Sequence, residues 1–385
     1  MVKTSKPLAE CCQELGIRNF CANEWRTKLA WVIPSAARNH EGEARIIRSK
    51  YIKNMKKILY IAAILIGMTS CSGGGITLPN ATGAAGEILV VIDDSIAKSA
   101  VGDSIFRLLD RDVPCMPQSE PHFNISSTKH SGFTNLLKPV RNIVIINVGD
   151  RYSHNKIKTY TDRYSKPQSI IEINGPTKEG VRKAIVDYSE EILDFFIKAE
   201  RDRAIKYQTH YREREVGDKV KEKFGIDIVI PKGLTRIKEA ENFMWIANSN
   251  IDIQQNIVIY SFPYTDKNTF TKDYLTFKRD SVMMINVPGP VEDSYVSTEY
   301  KYDPPIFKET ALKSGQFATE IRGLWNVVGD IMGGPFVSVS CLDEENQRVI
   351  TAECFVYAPG KNKRNILRNL ESVLYTIKFE KDEQH

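Results

Sequence analysis

The sequence is short of the residues that most enzyme chemistry requires. It holds six histidines in 385 residues, five of them (His122, His130, His154, His210, His385) beyond residue 100. None forms an HExxH or a close metal pair, so zinc hydrolysis has no motif and no metal is expected. His122 and His130 lie near enough in sequence to meet across one loop, although isolated loop histidines are usually just solvated. There is no GxSxG elbow, no GxxxxGK[ST] and no strand-linked GxGxxG, so no cofactor is expected either. The glycine-rich "GDIMGGPF", Gly329 to Phe336, lacks the lysine and hydroxyl that would hold phosphate and magnesium, and reads as a tight bend between strands. No apolar run reaches the roughly 20 residues that a membrane-spanning helix needs.

The longest apolar run, Ile58 to Met68, follows Lys56 and Lys57 and leads through Thr69 and Ser70 to Cys71. A short basic region, an apolar stretch and small residues make a cleavable secretory signal over residues 55–70. The ending Met68-Thr69-Ser70-Cys71 resembles the bacterial lipobox, with Met68 in place of the usual leucine. That resemblance implies a diacylglyceryl group on Cys71 as the membrane anchor. Each buried CH₂ contributes about 0.8 kcal/mol, so stable anchoring needs more than one acyl chain. A signal works at an N-terminus, so residues 1–54 are expected to be upstream sequence that is not part of the native product.

Cutting at Cys71 changes the charge. The chain has 53 basic and 48 acidic side chains; residues 1–70 take 12 and 5 of these, leaving 41 and 43 and a net charge of −2. A near-neutral body argues against nucleic acid as a partner, because such proteins carry a clustered basic footprint. The remaining 315 residues suffice for about two domains.

Residues 71–86, rich in Gly, Ser, Thr and Ala, read as a flexible tether. "EILVVIDD", "RNIVIINV" and "QSIIEIN" read as buried strands, and Val101, Ile105, Leu108 and Leu109 mark a helix. A long helix is expected from Thr177, with Val181, Ile185, Tyr188, Ile192, Phe195 and Ala199 on the sheet side. From Glu200 to Glu215 charge surrounds it, so this part is expected to protrude, with Glu200, Arg203, Lys206, Arg212 and Arg214 as a surface for an envelope protein partner. Beyond Gly225, "DIVIP", "FMWIAN", "QNIVIYSFP" and an antiparallel meander over residues 316–359 alternate with helices at 264–285 and 361–379. A hairpin turning at Glu345 and Asn346 pairs Cys341 with Ile350 and puts Cys341 and Cys354 in the core rather than in a disulfide.

The expected class is α+β with α/β-like layers: an N-terminal half over 87–223 and a C-terminal half over 224–380. Both close on a strand, a proline-containing turn and a helix. They are therefore expected to be similar mixed-sheet halves with helices covering one face, a distant internal duplication joined by the long helix.

Several long motifs, "DVPCMPQSEPHF", "LDFFIKAERDR", "PYTDKNTFTKDYLTFKRDSVM", "RGLWNVVGDIMGGPFVS" and "FVYAPGKNKRNILRNLESVLYT", resemble an uncharacterised Bacteroidetes lipoprotein family known only as a domain of unknown function. The resemblance runs from about Cys71 to Phe379 and brings no activity or catalytic residue. It implies an exported, lipid-anchored protein. With no acid before Glu87 to direct it to the cell surface, it further implies the periplasmic side of the outer membrane.

Three clusters carry chemistry worth weighing. Asp93 and Asp94 stand at the carboxyl end of a strand, where they can bind a cation, act as acid and base, or cap the next helix. Trp245 and Trp325, with Tyr260 and Tyr264, can line a sugar groove or fill the core. Lys272, Asp273, Lys278, Arg279 and Asp280 form either solvated ion pairs or a grip for an anionic headgroup. The favoured function is a non-enzymatic accessory or binding subunit of the envelope. The alternative is an enzyme acting on envelope glycans or lipids with carboxylates in a cleft.

Overall fold

The computed structural model describes residues 77–379. The upstream segment, the signal and the lipidation site at Cys71 lie outside the described residues. Strand β1 (Glu87–Val91) pairs in parallel with β2 (Asn124–Thr128) and β3 (Asn142–Val148). β5 (Ser169–Gly175) continues the parallel sheet, and β4 (Lys156–Thr161) closes it antiparallel, for an order of β2-β1-β3-β5-β4. The near-continuous apolar runs of β1, β3 and β5 follow from burial on both faces. Ile88 and Val90 point to the helical side, against α1 (Ala100–Leu109), α2 (Lys178–Asp187) and the start of α3 (Ser189–His210). Leu89 and Val91 point the other way, where Phe133, Leu137 and Val140 of a loop cover them.

The second sheet is antiparallel. It contains β7 (Arg236–Ala240), β8 (Phe243–Ala247), β9 (Gln254–Pro263), β10 (Tyr295–Glu299), β11 (Ile306–Ala311), β12 (Phe317–Val328), β13 (Gly333–Asp343) and β14 (Arg348–Tyr357). Its order is β10-β12-β13-β14-β9-β8-β7, with β11 also on β12. One face receives α4 (Arg214–Phe224), α6 (Arg364–Leu374) and Ile205 of α3; the other receives α5 (Lys272–Asn286). The small strand pair β6 (Ile226–Asp227) and β15 (Lys378–Phe379) closes the body.

The α+β class with two sheet halves is as expected. The hairpin register also holds: Cys341 lies opposite Ile350, both cysteines are buried, and both are free thiols. Four expectations change. The first sheet is parallel but for its edge strand β4 and the second is antiparallel throughout, so the shared strand-turn-helix order is not a duplication, which would preserve the sense of pairing. The second sheet is covered by helices on both faces, not one. The single long helix is three, broken at Tyr188 and after His210. The tether is also shorter than 71–86, because Lys166 N–H donates to the Pro79 carbonyl at 2.8 Å and Thr82 N–H to the Pro139 carbonyl at 2.9 Å. Among the described residues no helix is long and apolar enough to cross a membrane.

Candidate functional site

Asp93 and Asp94 follow the carboxyl end of β1, as the sequence suggests, but they do not act together. Asp94 pairs with Lys129 at 2.7 Å, and Asp93 Oδ2 lies 3.1 Å from His130 Nδ1. The backbone N–H of His130 donates to Asp93 Oδ1 at 3.1 Å. That bond is the largest cause holding the Asp93 carboxyl below the usual range; slight burial opposes it, and the His130 ring and Lys129 add to it. Neither carboxylate caps the following helical turn; the Asp93 side chain is turned to His130 instead. His130 Nε2 lies 2.8 Å from Asn147 Oδ1, and Asn147 Nδ2 donates to Asn174 Oδ1 at 2.7 Å, so the imidazole is the donor to Asn147. The chain Asp93–His130–Asn147–Asn174 pins the 129–140 loop to the sheet edge. Both carboxylates are about half exposed, and neither lines the cavity beside α3 or the small one around His154.

The histidine pair across one loop does not form, because His122 is buried and turned to Arg368 on α6. The aromatic groove does not form either. Trp325 and Tyr260 are core residues on one face of the second sheet, and Trp245 is half-buried there with its Nε1 donating to Asn256 Oδ1 at 3.0 Å. Apolar burial accounts for large aromatics in strands. On α5 the charges are not simply solvated. Arg279 is fully buried and grips Glu353 of β14 through Nε and Nη2 at 2.8 and 2.7 Å, with its guanidinium 3.7 Å from the centre of the Phe336 ring.

The largest departure is on α3. Glu200 is buried and Arg203 nearly so, and they therefore form no exposed partner surface; Lys206, Arg212 and Arg214 remain exposed. Glu200 receives Asn142 Nδ2 at 2.7 Å, Arg203 Nη1 at 2.7 Å and the Gly86 N–H at 3.3 Å, and pairs with Arg141 at 3.0 Å. Arg203 also donates to the Arg141 carbonyl and to Ser169 Oγ. The charged second half of α3 is here wedged between the first sheet and α6, and its charges are met by the ends of β3 and β5.

Between α3 and α6 lies a cavity of about 340 Å³. Four guanidinium groups (Arg141, Arg201, Arg203, Arg368) and two carboxylates (Glu200, Glu371) line it. Glu371 pairs with Arg322 at 2.7 Å and Arg201 at 3.4 Å. Burial alone would raise the Glu371 carboxyl, but these two arginines, Arg322 first, hold it below the usual range. Tyr375 donates to Glu320, and the Arg201 guanidinium stacks 3.7 Å from the centre of its ring. Arg368 is different. It donates to the carbonyl and to Nδ1 of His122, both at 2.8 Å, and forms no ion pair among the described residues. Sequence reading missed Arg141, Arg201, Arg368 and Glu371, because each stands at the end of an apolar run or on an amphipathic helix, where a charge looks solvated.

Among the described residues no group of His, Cys, Asp and Glu is placed to hold a metal ion. Residues 81–209 match a family described as "Domain of unknown function (DUF8532)", and residues 213–376 one described as "Domain of unknown function (DUF4837)". Two domains of unknown function are therefore present, and they meet between α3 and α4. No curated protein matches the chain. Among solved structures it is similar to the Saccharomyces cerevisiae Ran-binding protein Mog1p, with 12% identity, 40% of this chain and 89% of that one covered, and a TM-score of 0.28. It is also similar to the human StarD13 (DLC2) lipid transfer and protein localization domain, with 11% identity, 42% and 92% covered, and a TM-score of 0.20. At such scores the likeness extends to neither shared fold nor shared function.

Proposed function

We propose that this chain is an exported envelope protein, anchored by a diacylglyceryl group on Cys71 and acting as a non-enzymatic binding or accessory subunit on the periplasmic side of the outer membrane. The observation that carries this reading is the close succession of lipobox and body. Backbone pairing of the body starts at Pro79, so only the seven residues 72–78 separate it from Cys71. Seven residues span at most about 25 Å, so the body sits against the membrane surface. The exposed end of α3 and the turn into α4 supply a surface for a partner: Tyr207 and Tyr211, with ring centres 4.8 Å apart, together with exposed Lys206, Arg212 and Arg214. The enzyme reading gains no comparable support, since Asp93 and Asp94 are each occupied by a neighbouring basic side chain.

The test is mass spectrometry of the protein isolated from native membranes after crosslinking. A diacylated N-terminal Cys71 together with a stoichiometric envelope protein is the expected result. An unmodified Cys71, or a tryptic peptide from residues 1–54, would overturn the anchoring. A lipidated protein recovered alone would overturn the accessory role.

A further inference from the structure

The cavity between α3 and α6 is charged unevenly, and the imbalance identifies what it takes. Four guanidinium groups face two carboxylates, which leaves an excess of two positive charges around about 340 Å³. The carboxylates are already committed. Glu200 is shared by Arg141 and Arg203, and Glu371 by Arg322 and Arg201. Arg368 has only neutral acceptors, both on His122. His122 stays neutral because burial first, then Arg368, Arg322 and Arg111, push its imidazole down to about 3. Burial also pulls Arg368 down to about 10 against the attraction of Glu371, with Arg364 and Arg322 adding repulsion. Arg141 points the same way: its Nε is buried and lies near Glu200 but off the direction of a hydrogen bond. Arg368 is half-buried with no carboxylate beside it and Arg141 shares its carboxylate with Arg203, so both are under-compensated, and the planar fork of a guanidinium suits the paired oxygens of phosphate.

We propose that this cavity binds a small dianionic phosphate ester, its phosphoryl group held by Arg141, Arg201 and Arg368. A phosphate monoester carries about two negative charges near neutral pH, which matches the excess. The remaining wall, with Ala81, Ile197 and Ala204, accepts a small apolar portion of the ester, and exposed Tyr207 and Asn369 form the rim. The assignment goes beyond the envelope reading and does not depend on it, because the cavity is the same wherever the chain resides.

The test is calorimetric titration of the full-length chain with inorganic phosphate and with glycerol phosphate, at ionic strength held constant with sodium chloride. Saturable one-to-one binding is expected, weakened about tenfold or more in Arg368→Gln, the loss of one charge-assisted contact. Because Arg368→Gln removes contacts of the fold as well, Ala204→Glu is the second variant. It places a carboxylate in the cavity from a helix position and should retain the native circular dichroism while abolishing phosphate binding. Competition by phosphatidylcholine vesicles containing phosphatidic acid would mark the ester as a lipid headgroup, and its absence would mark a soluble ester; either supports the site. Three results would overturn it: no saturable binding of either phosphate probe, undiminished binding in folded Ala204→Glu, or binding of succinate without binding of phosphate.

Discussion

Acid should weaken this protein through His122 specifically. The imidazole is 7% exposed, accepts from Arg368 through Nδ1, and is surrounded by Arg368, Arg322 and Arg111 with only Glu371 in opposition. Its folded value is about 3 against 6.5 for the free side chain. The unfolded chain therefore takes up a proton that the folded chain refuses. The stabilisation is complete above pH 6.5 and is lost as pH falls through the interval toward 3. Well inside that interval the slope is about 1.4 kcal/mol per pH unit, so a fall from 6.5 to 4.5 costs about 2–3 kcal/mol. With a urea dependence of about 3 kcal/mol per molar for a body of this size, the midpoint drops by about 1 M. Carboxylates titrate in the same range, so the informative quantity is a difference. His122→Gln keeps an acceptor for Arg368 and cannot take a proton. Its urea midpoint at pH 7 and at 4.5 should differ by about 1 M less than that of the wild type. If the two proteins lose stability in parallel between these pH values, His122 is not buried as a neutral acceptor and the charge accounting of the α3–α6 cavity fails with it.

Three further outcomes follow from the packing. Glu353→Ala should cost about 3–5 kcal/mol in urea unfolding because it strands the buried Arg279 guanidinium, whereas Arg279→Met combined with Glu353→Leu should recover most of that loss; equal losses in the single and double variants would refute the pairing. Gly334→Ala should lower the melting temperature, at a cost of about 1–3 kcal/mol, because the added methyl overlaps the Val356 carbonyl oxygen on one side and crowds the Trp325 indole on the other; an unchanged melting temperature would show that β13 shifts freely. Cys115, Cys341 and Cys354 should resist alkylation in the native protein and react after denaturation, since burial pushes the Cys115 and Cys341 thiols up to about 12; native-state labelling of Cys341, read by peptide mass spectrometry, would contradict its place in the core.

Much of the architecture is legible where one periodicity dominates. The apolar runs of β1, β3 and β5 and the helical spacing of Ile366, Leu370, Val373 and Leu374 each specify one element and one inward face. Edge strands are not: β2, "NISST", and β4, "KIKTYT", are largely exposed and polar, and they join the sheet only because β1 and β5 offer unpaired backbone. Nor does the order of elements give their sense. "CFVYAPGKNKRNILRNL" and "IIEINGPTKEGVRKAI" share a strand, a turn and a helix, yet one strand sits in an antiparallel meander and the other in a parallel sheet.

The site was hidden for a related reason. A charge run such as "ERDRAIKYQTHYRERE" is ordinarily a solvated face, and nothing local distinguishes it from one. What makes α3 different is tertiary: Arg141 and Asn142 at the start of β3, Ser169 at the start of β5 and Glu371 on α6 all converge on the same two turns of helix. Each of these partners is 34 to 170 residues away in sequence. A buried charge that loses its partner costs several kcal/mol, whereas the paired charge gains little over an apolar residue. The arrangement therefore stabilises poorly but discriminates strongly, since any other rotation of α3 about its axis would bury Glu200 or Arg203 alone. In this body the charged half of the helix fixes how α3 lies against the first sheet and α6, and Arg368, left without a carboxylate by that pairing, lines the cavity beside the paired guanidinium groups.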